Sequence, residues 1–331
     1  MKTDPPAASG PVTYELHVLA DAFGDPRWAQ GPGGNVSVKH DDRLFIKASG
    51  TKLVDVPQPP NHVGVSLADA RLALEGDAAA DARVFACTPR PSLETYFHAL
   101  DGAVVAHTHP VGVLLVACSA EDTGVTFDAR VPYERPGRGL AVSIARHLAA
   151  VKERRAPSAT NVLLESHGLV VYAESGATAV GESLALVEEC LATKKADLAS
   201  FDALVAAYKS APLAIEGGVA FKLPRRTSSE RYLFPDAVVY ASTVRVEKVD
   251  EGVAAKAIAE LARAVVLVAN DGARIAVAKT PVSLEACVEI LAAHDWVEDT
   301  LGAGARYLAD DEPAKILGLP SEQHRIRLAN A

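Results

Sequence analysis

The chain has 331 residues, 49% of them hydrophobic and 23% charged, enough apolar material for one large or two ordinary domains with a buried core, which excludes disordered and fibrous classes. Thirty-three Lys and Arg stand against 42 Asp and Glu, a net charge of −9, and beyond short pieces such as KERR (152–155) and PRR (224–226) no basic cluster stands out, so nucleic acid is not an expected partner. The start, MKTDPPAASGP, lacks the apolar core of a signal peptide, and no apolar run reaches the roughly 18 residues of a membrane span, so a cytoplasmic protein without membrane contact is expected.

From residue 13 to about 210, helical and strand-like patterns alternate. A helical run over 13–24 leads into strand-like NVSVK (35–39) and RLFIKAS (43–49). A second helical run (93–102) precedes AVVAHTH (103–109), a third covers 139–155, and NVLLESHGLVVYA (161–173) reads as two strands joined by a turn. A long helical pattern over 176–204 closes this region. The predicted class is α/β, with a first domain over 1–215. Gly, Pro and Ser without sustained period predict a linker over 216–235, and a smaller α/β unit is predicted over 236–331. The four cysteines lack C-x-x-C spacing and read as small core residues.

Within VVAHTHPVGVLLVAC (104–118), two histidines interrupt an aliphatic run. Residues two apart on a strand point to one side, so His107 and His109 project together while Thr108 faces away. Two imidazoles converging on one point suit a metal, and equally suit a buried pair bonded to backbone carbonyls. His167, between two strand-like runs and followed by Gly168, is placed to be a third ligand. In RPSLETYFHAL, Ser92 reads as a helix N-cap with Glu94 in the first turn. Glu94 is either a carboxylate favoured by the helix dipole or a base near the histidines, with His98 sharing its helix face. Gly33, Gly34 and Asn35, and the turn Ser49, Gly50 and Thr51, offer backbone N–H groups and small polar side chains that suit a phosphate nest or an ordinary turn.

The ordered set GGNVSVK, KASGT, RPSLETYFH, VVAHTHP and ESHGLVVYA resembles the class II aldolase/adducin family over about residues 13–210, most of all its zinc-dependent rhamnulose- and fuculose-1-phosphate aldolases. GPGGN, RPSLET and VPYERPG are most similar to the aldolase half of bifunctional aldolase/dehydrogenases; the last hundred residues hold LGAGARYL but no complete dinucleotide fingerprint. The resemblance implies a central, mostly antiparallel sheet flanked by helices. It implies one Zn2+ per chain held by His107, His109 and His167, with Glu94 as catalytic acid/base. It implies substrate phosphate at Gly34, Asn35, Ser49, Gly50 and Ser92, although Leu93 stands where some members carry a second serine. A tyrosine protonates the aldehyde oxygen in this family, and Tyr133 is the candidate here. The implied reaction is aldol cleavage of a ketose 1-phosphate to dihydroxyacetone phosphate and an aldehyde, zinc stabilising the enediolate, in a homotetramer. The alternatives are a pentulose-phosphate 4-epimerase, which has an aspartate in place of Glu94, a non-catalytic adducin-like scaffold, and a metal-free binding module.

Overall fold

A computed structural model describes residues 10–151, 158–226, 231–260 and 263–329. The KERR piece, the first nine residues and residues 227–230 of the expected linker lie outside the described residues. The chain divides into two compact units: one holds the residues up to Ala117 together with Thr123–Thr193, the other Cys118–Asp122 and the chain from Lys194 onward.

The first unit contains α1 (Gly10–Phe23), β1 (Asn35–His40), β2 (Arg43–Lys47), β3 (His62–Ser66), α2 (Leu67–Glu75), α3 (Ala78–Phe85) and α4 (Thr95–His98). It continues with β4 (Val104–Thr108), α5 (Val111–Ala117), β5 (Ala129–Val131), α6 (Arg138–Val151), β6 (Ala159–Leu164), β7 (Gly168–Ala173) and α7 (Gly176–Lys194). Among the described residues these strands form a seven-stranded sheet in the order β3-β2-β1-β4-β7-β6-β5, antiparallel except between β5 and β6. Both faces are covered, which is why the strands read as nearly unbroken apolar runs. The pleat still sorts their residues: Val36, Val38, Val104, Ala106 and Val171 join one core cluster, while Val105, Val162, Val170 and Tyr172 join the other.

The apolar run over 104–118 changes from strand to helix at Pro110. That residue brings no N–H to a ladder, and its carbonyl accepts from Leu114 N (2.9 Å) in the first turn leading into α5. Side-chain caps set other helix starts, Ser66 accepting from Asp69 N and Asp77 from Ala80 N.

The second unit holds α8 (Leu198–Lys209), β8 (Pro212–Ile215), β9 (Gly218–Leu223), α9 (Pro235–Tyr240), β10 (Thr243–Val246) and α10 (Glu251–Glu260). After these come β11 (Val265–Ala269), β12 (Arg274–Ala278), α11 (Pro281–Leu301), α12 (Glu312–Leu317) and α13 (Pro320–Ala329). Among the described residues its sheet has five strands in the order β10-β11-β12-β9-β8, with only β10 and β11 parallel. Ile215, Ala220, Ile258, Val265, Leu267, Ile275 and Val277 form its core.

Two expectations are corrected here. The helical pattern expected over 176–204 is two helices: Lys195 turns into the left-handed region (φ 51°), and Asp197 restarts the helix by accepting from Ala199 N. The division between units falls at this break, not after residue 215. The first part of the stretch expected as a linker over 216–235 is structured, because its Gly217 (φ 79°) turns a β-hairpin whose second strand, β9, lies between β8 and β12.

Candidate metal centre

The site grows from the register of three strands. Asn35 at the start of β1 lies opposite His107 near the end of β4, and His107 lies opposite Val170 on β7. His107 shares its strand face with Val105, on the side where Phe97 meets its ring edge-on. His109 follows one residue past the strand end, its N–H donating to Trp28 O (2.8 Å) while its carbonyl accepts from Gln30 Nε2 (3.2 Å). His167 sits in the tight β6–β7 turn between Ser166 (φ 51°) and Gly168.

The turn is a close approach of backbone to ligand. A Cβ on Gly168 would lie 2.5 Å from Thr108 O and 2.9 Å from His109 Cδ2, so no other residue fits without displacement. A Cβ on Gly34 (φ +66°) would likewise lie 2.9 Å from His107 O.

All three histidines are buried, and one nitrogen from each lies within 4.8 Å of the others. His107 Nε2 and His109 Nε2 are 3.1 Å apart. Two nitrogens sharing a tetrahedral zinc at about 2.0–2.1 Å are separated by about 3.3 Å, so this spacing fits a common cation. Protonation agrees: His107 Nδ1 lies 3.0 Å from Leu169 O, a carbonyl that can only accept, so Nδ1 carries the hydrogen and the Nε2 lone pair faces the cluster. The residues present fit a divalent metal.

Glu94, 7% exposed, faces the same cluster. Its Oε1 is 3.5 Å from both His107 Nε2 and His167 Nε2, and its Oε2 accepts from Asn35 Nδ2. Expected in the first turn of a helix capped by Ser92, Glu94 instead immediately precedes the short α4, with the Ser92 hydroxyl accepting from its N–H (3.2 Å). His98 does not orient it. That imidazole bonds Ser37 Oγ (2.7 Å), and burial, followed by the charges of His107, Lys39 and Lys47, pushes it well below the usual histidine range. Asn35, assigned from sequence to phosphate, is the residue that holds Glu94.

The remaining expected positions lie on three adjoining segments. Gly34 ends the loop before β1 and Asn35 begins that strand, Ser49 and Gly50 (φ 83°) turn after β2, and Ser92 is reached through the bridge between Ala48 and Pro91 and the bond from Ser49 N to Arg90 O (2.9 Å). Tyr133 stands two residues beyond β5, on a segment whose Gly137 lies against Leu93. Sequence reasoning missed Lys47. The strand RLFIK carries no signal of it, because its partners Pro32 O and Thr51 O come from loops on either side of the strand.

A second group, His294, Asp295 and Glu298 on α11, also brings three ligand atoms within 4.8 Å. Its acids are already engaged: Arg274 Nη1 lies 2.7 Å from Asp295 Oδ2 and Arg226 Nη2 lies 2.6 Å from Glu298 Oε2, so this is an ion-pair network.

Residues 15–193, more than half of the chain, match the model of the class II aldolase and adducin N-terminal domain. The chain belongs to the class II aldolase and adducin family. Over 182 residues this class II aldolase-family chain is 31% identical to the uncharacterised oxidoreductase YuxG of Bacillus subtilis strain 168, spanning 47% of the chain and about a quarter (26%) of that protein. The N-terminal class II aldolase domain of a conserved Thermoplasma acidophilum protein is 23% identical, with 57% of this chain and 95% of that one covered and a TM-score of 0.44. The L-fuculose-1-phosphate aldolase of Thermus thermophilus is 19% identical, with 52% and 92% covered and a TM-score of 0.35. The class II aldolase fold expected from the sequence is the fold found, and the C-terminal part of the chain holds a second, five-stranded sheet. Among the described residues no helix is long and apolar enough to cross a membrane.

Proposed function

We propose that this chain is a zinc-dependent aldolase acting on a ketose 1-phosphate. The observation that carries the reading is the placement of Glu94: one carboxylate oxygen equidistant from two histidine nitrogens of a convergent trio, the other oxygen held by Asn35. A divalent cation on His107, His109 and His167 supplies, when bound, Lewis-acid polarisation of the substrate's carbonyl and hydroxyl oxygens. The chain's own residues do the rest.

In the condensation direction, Glu94 accepts the proton from the carbon beside the ketone carbonyl. The electron pair left on that carbon forms the new bond to the aldehyde carbon. The aldehyde oxygen then takes a proton, for which Tyr133 is the proposed donor. Cleavage reverses these transfers, with the Glu94 carboxyl returning its proton to the carbon. Burial of all four metal-side groups keeps bulk water from protonating that carbon prematurely. The backbone N–H groups of Gly34, Ser49 and Gly50 with the Ser92 hydroxyl are the proposed cradle for the phosphate.

The test is a screen of zinc-loaded protein against phosphorylated and unphosphorylated ketoses, detecting released aldehyde. Cleavage of a ketose 1-phosphate that depends on Glu94 supports the reading; a zinc-loaded protein that cleaves none of them overturns it.

A further inference from the structure

The second unit holds none of the residues of the metal centre, yet it carries a cavity of about 400 Å³, a volume typical of small-molecule sites. The cavity lies between the β8–β9 hairpin and the opening turns of α11, where Leu213, Val219, Phe221, Val282 and Leu284 give it a hydrocarbon lining. Val219 and Phe221 share one face of β9, while Ala220 between them turns to the core with Ile215 and Ile258. Val282 is 63% exposed, so this apolar surface meets water.

Among the described residues its only charged lining groups are Lys209, which ends α8, and Glu285 on α11. Lys209 Nζ lies 2.8 Å from Glu289 Oε1 and 3.2 Å from Glu285 Oε1. The two acids are not equivalent. The Glu289 side chain is 5% exposed and balances the ammonium from inside, whereas the Glu285 side chain is 44% exposed and makes a surface pair that is worth little and readily exchanged. Burial pulls the Lys209 pKa down, but Glu289 and Glu285 outweigh it and hold the group above the usual lysine range, so it stays charged. Pro281 and Val282 also open the 21-residue α11, which brings the positive end of that helix dipole to the cavity.

We propose that this cavity binds an apolar carboxylate, its hydrocarbon body against the β8–β9 hairpin and its carboxylate on Lys209 in place of Glu285. The exchange trades one carboxylate for another on the same ammonium, so Glu289 keeps its partner and no buried charge is left unpaired. A neutral head gains nothing from Lys209, and a cationic head meets both Lys209 and the positive end of α11. No residue of the metal centre takes part, so binding here stands or falls apart from the aldolase reading.

The experiment uses the full chain, with octanoate, 1-octanol and octylamine as probes that set one chain length behind three heads. Affinity is read by NMR at the methyl groups of Leu213, Val219, Val282 and Leu284, so a carboxylate bound at the metal centre does not count. Octanoate is expected to shift these methyls saturably and to bind at least about threefold more tightly than octanol or octylamine. Glu285→Gln removes the competing carboxylate and is expected to tighten octanoate by about two- to fivefold, the scale of an exposed ion pair. Lys209→Met is expected to weaken octanoate by at least about fivefold, and both variants to leave octanol within about twofold of wild type. Val219→Trp, which fills the cavity, is expected to abolish the shifts at the other three residues with the fold intact by circular dichroism.

Opposite responses of octanoate to Glu285→Gln and Lys209→Met are what a merely sticky apolar surface would not give. Methyls that octanoate leaves unmoved, octanol or octylamine bound as tightly as octanoate, or undiminished octanoate binding in Val219→Trp would each overturn the proposal. Should Lys209→Met not fold, Glu285→Gln decides alone: tighter octanoate upholds the exchange, and unchanged or weaker octanoate overturns it.

Discussion

Replacing Gly168 with alanine tests the centre without touching a proposed ligand. The added Cβ would sit 2.5 Å from Thr108 O and 2.9 Å from His109 Cδ2. Ordinary contact begins near 3.4 Å, so the turn must give by about 0.9 Å at the carbonyl and the imidazole by about 0.5 Å, in an interior packed too densely to absorb either locally. Thr108 O belongs to β4, which cannot shift without moving His107, so the displacement falls on the turn that carries His167 and on the His109 ring. Such a repacking costs about 1–3 kcal/mol of stability. Displacing ligand orientation by this much lowers metal affinity by about 10–100-fold, equivalent to about 1.4–2.8 kcal/mol. Zinc affinity measured by competition with a chromogenic chelator, beside circular dichroism to establish the fold, reads both effects. A folded Gly168→Ala protein that binds zinc as tightly as wild type would refute the reasoning, because it would mean the three histidines do not share an ion in this geometry.

Glu94→Gln, which keeps volume but removes the carboxylate, is expected to retain fold and zinc and to lose ketose 1-phosphate cleavage by about 10²–10⁴-fold in a coupled aldehyde assay; equal turnover would remove Glu94 from the mechanism. His107→Ala with His109→Ala is expected to abolish stoichiometric zinc measured by atomic absorption, since one remaining imidazole is no better than a surface histidine. In the second unit, burial pushes the Asp295 carboxyl up, but the His294 hydrogen bond and the Arg274 and Arg226 guanidiniums outweigh it and hold it well below the usual carboxylate range. A depressed folded-state value stabilises above the unfolded value of about 3.9 and is lost as pH falls through and below it, so the unfolding temperature is expected to drop below about pH 4. Asp295→Asn is expected to be less stable at pH 7, because Arg274 and Arg226 lose a buried partner, and to show a shallower acid slope by calorimetry; identical acid slopes would count against the assignment.

Much of the site was legible because its signals are local. The period of a strand puts His107 and His109 on one side, a glycine after His167 marks a tight turn, and five short motifs in order identify the family before any contact is known. The α/β class was legible for the same reason, and the mostly antiparallel sheet was implied by the family resemblance alone. The misjudged parts are those where composition imitates another state. The glycines over 216–218 read as a linker while turning a hairpin, and the continuous helical pattern over 176–204 concealed the break at Lys195, since an aspartate cap inside a long periodic run has little weight against its neighbours.

Register and long-range approach were decided only by the tertiary structure. Asn35 serves Glu94 because β1 sets it opposite His107, far along the chain, and His98 turns to Ser37 because the same pairing brings Ser37 opposite Val105 on that face. Nothing in RLFIK distinguishes Lys47 from a lysine at the solvent edge of a strand until Pro32, Thr51 and Ser92 close around it. Periodicity and turn chemistry belong to neighbouring residues and are written into the chain. Which side chains meet across the sheet depends on pairing strands distant in sequence, where a shift of one residue would send every side chain to the other face, and that choice is made by the packing of the whole core.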